Sequence, residues 1–226
     1  MTAGRRVDLH VHSRYSPDGT ASVDELVARA AEIGLDGLAL TDHNSVAGHP
    51  RLAELQGRYP QLLLVPGVEV STSDGHLLAY GIRQPPDPGL PVAETVARVL
   101  AAGGVAVPAH PFRRVHGIGG RLAGAVPVPA LEALNAHNRP AANDRARRLA
   151  RERGRGSTGG SDAHQVAEVG GAWTEFPEEV ASVPTLLEAL RAGRTSAGGR
   201  ELGADQRLAL ALRSLRLRLA RGLRPL

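Results

Sequence analysis

The chain has 226 residues, 42% of them hydrophobic, with 23 acidic residues against 27 basic ones that are all arginine, and no cysteine. A chain of this size can bury a substantial core as one domain, and the missing cysteines exclude disulfides, thiolate metal sites and cysteine nucleophiles. The missing lysines exclude Schiff-base chemistry and lysine-dependent phosphate loops.

The positive charge is unevenly placed. Residues 203–226 carry six Arg against one Asp, which leaves the first 202 residues at a net −1. The basic balance is therefore a property of the tail and argues little for polyanion binding by the body. No N-terminal stretch joins a basic start to an apolar signal-type core, and no apolar run approaches the ~18 residues that cross a bilayer. The expectation is a cytoplasmic protein with no membrane partner.

In chain order, Val7-Asp8-Leu9-His10-Val11-His12-Ser13 reads as a strand. Strict alternation puts Asp8, His10 and His12 on one face and Val7, Leu9 and Val11 on the other. A polar Pro/Gly loop containing Asp18 follows, and Ser22-Val23-Asp24-Glu25 forms a capping box that opens a helix. Its stripe of Val23, Leu26, Val27, Ala30 and Ile33 faces a core, and Gly34 stops it.

Residues 37–40 read as a buried strand delivering Thr41-Asp42-His43, with a helix over about 46–57. Residues 62–68 form a strand interrupted by Pro66-Gly67 and delivering Glu69, and 76–80 form the fourth. A helix over about 91–102 has Pro91 near its first position and Gly103-Gly104 at its end. Residues 105–107 make a fifth strand ending on Pro108-Ala109-His110-Pro111, 112–129 read as loop, and 131–135 as a short strand.

A basic helix spans about 140–153, and Gly154 to Gly160 lead into Ser161-Asp162-Ala163-His164. A strand near 169–176 and a helix near 183–192 precede the Leu/Arg tail. In that tail Leu208, Leu212, Leu215 and Leu219 recur at helical spacing, which predicts an amphipathic helix packing on the body or on a second copy in a homo-oligomer. Residues 1–202 are thus one α/β domain with 203–226 as its extension. Six or seven strand–helix units predict a closed, parallel (β/α) barrel, whose C-terminal rim gathers distant residues into one site.

That rim is rich in metal-ligand chemistry. Histidine supplies neutral nitrogen and Asp/Glu charged oxygen, a mixture suited to Zn, Mn or Fe at a catalytic site. Up to nine candidate ligands exceed what one tetrahedral ion accepts, so two or three divalent ions are implied. Glu69 is the candidate bridge between them. Paired ions clamp the attacking and leaving oxygens of a phosphoester displacement, and a bridging hydroxide serves as nucleophile.

The motifs Asp8-Leu9-His10-Val11-His12-Ser13, Thr41-Asp42-His43-Asn44, Val68-Glu69-Val70-Ser71, Gly75-His76-Leu77-Leu78, Ala109-His110-Pro111 and Gly160-Ser161-Asp162-Ala163-His164 occur in one order. Together they resemble the polymerase-and-histidinol-phosphatase (PHP) family of metal-dependent phosphoesterases, over about residues 7–200. The resemblance implies a distorted seven-stranded (β/α) barrel. It also implies His10, His12, Glu69 and Asp162 on a first metal, and Glu69, His76 and His110 on a second. Asp18, His43 and His164 would hold a third, Asp18 standing where many members carry His. One branch, of nucleotide phosphatases and 5′ exonucleases, has a large insertion between the Gly-His-Leu-Leu and Ala-His-Pro motifs. Here only 33 residues separate His76 from His110.

The resulting expectation is a phosphoesterase acting on phosphomonoesters or on the terminal phosphodiester of nucleotides and short oligonucleotides. Glu69, Asp162 and His110 carry the catalysis, and Arg14 and Arg113 are candidates to hold a phosphate bidentately. Histidinol-phosphate phosphatase is the alternative enzyme, and a metal-stabilised regulatory or binding module without turnover is the alternative of another class. Asp42 reads as an orienting or capping group. Asn135 and Asn138 read as caps, His49, His116 and His137 as surface or structural, and Trp173 as core.

Overall fold

A computed structural model of the protein describes residues 4–203 together with Asp205 and Leu212. The expected tail helix over 203–226 lies almost entirely outside the described residues. The apolar runs of the sequence become strands: β1 (Arg5–Val11), β2 (Gly37–Leu40), β3 (Leu63–Thr72), β4 (Gly75–Tyr80), β5 (Val105–Pro108), β6 (Ala130–Asn135), β7 (Gly156–Gly160), β8 (Ala172–Phe176) and β9 (Ser196–Gly199). Seven of them form one curled sheet in the order β5-β4-β3-β2-β1-β8-β9, and β6 and β7 form a parallel pair. β6 lies beside β5. The chain after β7 returns to β1 through Asp162 N–H to the His10 carbonyl and His12 N–H to the Ala163 carbonyl, both 2.8 Å. The first seven strands thus close into a distorted barrel, with β8 paired to β1 and β9 to β8.

Among the described residues, α-helices of about two turns or more pack around the strands: α1 (Val23–Glu32), α2 (His49–Arg58), α3 (Val92–Ala101), α4 (Gly119–Ala125), α5 (Pro140–Glu152) and α6 (Val183–Arg191). The capping box of Ser22 and Glu25 is formed, and Gly34 adopts φ 70° just past the helix end, a conformation that costs glycine little. One core cluster joins Val7, Leu9, Ala39, Val65, Leu78, Tyr80, Val107 and Ala130 from six strands with Leu186 and Leu190 of α6. It fills the barrel interior. Two further clusters fill the space between the strands and α1 and α2, and between the strands and α3 and α4. Among the described residues, no helix is long and apolar enough to cross a membrane.

Four expectations change. The sheet is mixed, because β4 runs antiparallel to both β3 and β5. A two-residue hairpin at Ser73-Asp74 replaces a helical crossover there. Residues 119–125 form α4 where a loop was expected, and β9 was not foreseen. α4 is short and glycine-rich, so its propensity is poor. Its last carbonyls are held by Arg155, whose guanidinium donates to Ala123 at 2.7 Å and Gly124 at 3.1 Å.

The fourth change lies in β1. Its register against β2 shifts between Asp8 and Val11, the mark of a bulge. Val7 and Leu9 therefore join the barrel interior, whereas Val11 packs outward against α1 and α2. Asp8 does not share a face with the two histidines. It accepts backbone N–H groups from Ser161 and Gly170, each at 2.9 Å. The extra residue turns His10 and His12 toward the mouth of the barrel, which strict alternation cannot do.

Candidate metal centre

All seven barrel strands deliver side chains to one rim. β1 brings His10 and His12, the turn after β2 brings Asp42 and His43, and β3 brings Glu69 from its middle. His76 is the second residue of β4, and because that strand runs backwards its beginning reaches the same rim. His110 follows β5, Glu132 and Asn135 lie on β6, and Asp162 and His164 follow β7. His10, His12, Glu69, His110, Glu132 and Asp162 are buried.

The donor atoms converge in sets. His10 Nε2 lies 3.1 Å from His12 Nε2 and 3.1 Å from Glu69 Oε2, and His12 Nε2 lies 3.2 Å from that same oxygen. Asp162 Oδ1 completes the set at 3.5 and 3.4 Å from the two imidazoles. Four ligands at ~2.0–2.1 Å from a tetrahedral ion sit about 3.3 Å from one another, so this spacing fits an ion at the centre. Two imidazole nitrogens facing each other beside two carboxylates have little other use.

The second oxygen of Glu69 faces a second set: Oε1 is 2.9 Å from His76 Nδ1 and 3.0 Å from His110 Nε2. His43 Nδ1, buried and without a hydrogen-bond partner, is 3.4 Å from Glu69 Oε2. Asp18 Oδ2 lies 3.0 Å from His164 Nε2 and 3.4 Å from His43 Nε2, which with His12 makes a third group. All nine residues expected as metal ligands are therefore brought together. The four non-glycine residues with left-handed φ among the described residues, Asn44, His110, His116 and Asp162, all border the centre. Backbone held in that region is a feature of functional sites.

Burial and charge oppose each other here. Burial pulls the pKa of His10 down, but Asp162, Glu132 and Glu69 outweigh it and the net shift is well upward. His12 is likewise pulled down by burial and pushed up, by Asp162 and Glu69, to about 10. Burial would raise Glu69 and Asp162, yet His10 and its neighbours hold both well below the carboxylate range. Without ions, protons on imidazoles balance the carboxylates. His110 behaves otherwise: burial, reinforced by Arg113, lowers it to about 3 and keeps it neutral.

Around the ligands lies a polar scaffold. Asp42 accepts from Ser13 N at 2.6 Å and Ser13 Oγ at 2.8 Å, in keeping with an orienting role. Arg113 Nη2 donates to Asp162 Oδ2 at 2.6 Å and Asn135 Oδ1 at 2.7 Å, and its Nε donates to Asn138 Oδ1 at 2.9 Å. Asn135 and Asn138 are thus supports for Arg113. Arg14, by contrast, is exposed and forms no side-chain bond to the cluster.

Of the histidines read as surface or structural, His49 donates from Nε2 to the Gly67 carbonyl, 2.8 Å away. His116 stacks on His76 with ring centroids 4.6 Å apart. His137 sits against the centre, its Nδ1 3.9 Å from Asp162 Oδ2, in a group with Asp162 and His164. Glu132 was also missed. The sequence did hold a signal for it, a lone carboxylate inside the apolar run Ala130-Leu131-Glu132-Ala133-Leu134.

A curled barrel whose rim holds linked sets of imidazoles and carboxylates is the framework of a metal-binding protein. The chain belongs to the PHP family. The PHP domain model matches residues 8–96, and the PHP-associated model matches residues 140–195. An uncharacterized protein of Methanocaldococcus jannaschii is 25% identical over 145 residues, covering 59% of this chain and 84% of that one. The error-prone DNA polymerase of Cutibacterium acnes is 40% identical over 79 residues, 34% of this chain but only 6% of the polymerase. Among solved structures, a two-domain protein of Bacteroides vulgatus, described as containing a predicted PHP-like metal-dependent phosphoesterase, superposes with a TM-score of 0.70. It is 21% identical, and the match covers 92% of this chain and 68% of that one, which shows a shared fold.

Proposed function

We propose that the protein is a metal-dependent phosphoesterase that hydrolyses phosphomonoesters or the terminal phosphodiester of nucleotides and short oligonucleotides. The observation that carries this reading is Glu69, whose two oxygens face two different histidine sets at 2.9–3.2 Å. Two or three divalent ions, Zn, Mn or Fe, held there would supply an activated water at neutral pH and neutralise charge on phosphoryl oxygens. His10, His12, Glu69 and Asp162 would hold one ion, Glu69, His76 and His110 a second, and Asp18, His43 and His164 a third. Glu69 and Asp162 stay ionised through the physiological range, and His110 offers a neutral nitrogen.

Arg113 would steady the substrate. Its Nη2 and Nε are anchored on Asp162, Asn135 and Asn138, while Nη1 takes no partner among the described residues and is left to hold a nonbridging phosphate oxygen. The surface beside it favours an oligonucleotide end over a small monoester. Arg114 and Arg139 are exposed there, and Arg145 of α5 stacks over Phe112 with its guanidinium carbon 4.5 Å from the ring centroid. Arginines interleaved with an aromatic ring suit a phosphate backbone and its bases.

The test is elemental analysis of purified protein joined to a phosphate-release screen over sugar phosphates, nucleotides, histidinol phosphate and short oligonucleotides. Two or more ions per chain and release from nucleotides or oligonucleotides are expected. Release confined to histidinol phosphate would favour that alternative, and metal without turnover on any ester would favour a binding module.

A further inference from the structure

We propose that Glu132 is a positioning residue that ties the first and second ligand sets together, so that both lose ion affinity when its carboxylate is altered while the third does not. This rests on the metal-centre reading above. Glu132 is buried, and both of its oxygens are spent on the centre's scaffold. Oε1 accepts from His10 Nδ1 at 2.8 Å, and Oε2 accepts from the His110 backbone N–H at 2.6 Å and from Asn135 Nδ2 at 3.1 Å. It belongs to none of the converging donor groups. With three donors already directed at it, Glu132 acts through other residues.

Two of these contacts each fix a different ligand. A proton held on His10 Nδ1 leaves Nε2 as the lone pair facing His12, Glu69 and Asp162; a carboxylate behind a histidine ligand commonly sets its tautomer and ring orientation in this way. His110 is held at φ 29°, a conformation its type adopts rarely. Its only main-chain donor is pinned by Glu132, which aims the ring at Glu69 Oε1, 3.0 Å from Nε2. The carboxylate also lies close against β7, since a Cβ added at Gly160 would come within 2.9 Å of Glu132 Oε1. No residue of the third set, Asp18, His43 or His164, donates a hydrogen bond to Glu132. One buried side chain therefore supports one ligand of each of two ions.

A neutral amide cannot reproduce this pattern. Glutamine offers one neutral acceptor and one donor, so it turns an N–H against His10 or His110 and holds the other only through a weaker, uncharged oxygen. The experiment uses the full chain, stripped by chelator dialysis and titrated with Zn²⁺ against a chromophoric competing chelator. An Asp18→Asn background removes a ligand of the third set, so the two remaining ions report on Glu132. In that background Glu132→Gln is expected to raise the Zn²⁺ dissociation constant at both remaining sites by ~10–100-fold.

In the zinc-loaded parent chain, ring ¹H–¹⁵N correlations should show His10 protonated at Nδ1 and bare at Nε2, a measurement that needs no variant. No zinc uptake by the parent chain would defeat the metal-centre reading itself. Zinc uptake by the parent with unchanged affinity in Glu132→Gln, weakening at one site alone, or a His10 ring protonated at Nε2 would each overturn the role proposed for Glu132.

Discussion

Replacing Gly160 by alanine tests how closely the two ends of the chain must approach to build the centre. A Cβ there would sit 2.3 Å from His10 Cβ and 3.0 Å from His10 N. Two aliphatic carbons come to rest at about 3.5 Å or more, so β7 and β1 must part by roughly 1 Å at the level of His10. Overpacking of this kind costs ~1–3 kcal/mol, and at about 2–4 °C per kcal/mol for a domain of this size the melting temperature drops by ~2–12 °C. The fold survives that. The first ligand set does not, because its spacings of 3.1–3.5 Å leave no slack for a displacement of that size. An error of ~1 Å in positioned groups costs on the order of 100-fold in rate. Gly160→Ala is therefore expected to retain its far-ultraviolet circular dichroism, lose bound metal by elemental analysis, and fall ~100-fold in kcat/KM for phosphate release. Full metal content and full turnover would show that the contact between Gly160 and His10 does not govern the centre.

Other perturbations separate the parts of the site. Glu69→Gln and Asp162→Asn should each abolish hydrolysis and lower metal occupancy, measured together by elemental analysis and phosphate release. Tyr80→Phe removes the buried 2.8 Å hydrogen bond from the Tyr80 hydroxyl to the Leu9 carbonyl. A loss of ~1 kcal/mol is expected, seen in denaturant melts with metal content unchanged. Metal uptake should also release protons, because His12, pushed up to about 10 in the metal-free protein, is protonated at neutral pH. Calorimetric heats at pH 7 should then vary with the buffer's ionisation enthalpy, and affinity should rise with pH. For the metal-free protein the sign is opposite. A histidine raised from 6.5 to about 10 gives stability fully present below pH 6.5 and lost as pH rises through about 10, so its melting temperature should decline over that window.

Much of this was legible in the chain. Polar residues ending apolar runs announced the rim, and the Ser22–Glu25 capping box and Gly34 marked α1 correctly. Period-two reading failed in β1, because a bulge depends on pairing with β2 and leaves no trace in a lone strand's pattern. It failed to give the direction of β4 for a related reason: the two-residue hairpin at Ser73-Asp74 is a local feature, whereas alternating strands and helices suggest crossovers everywhere. His137 and Glu132 escaped because each is a single polar residue whose neighbours become visible only when β6 and the chain after β7 are placed beside β1. Arg14, two residues after His12, stands exposed, and no side-chain hydrogen bond joins it to the ligands.

The hydrogen bonds that close the barrel join positions more than 150 residues apart, such as Asp8 and Ser161. Cations gripped by His10, His12 and Asp162 would act as a clasp across that span, restricting the unfolded chain much as a covalent staple over a long loop does. A nascent polypeptide could not close that clasp before its seventh strand had been made, so for this protein metallation is bound to be a late event in biogenesis.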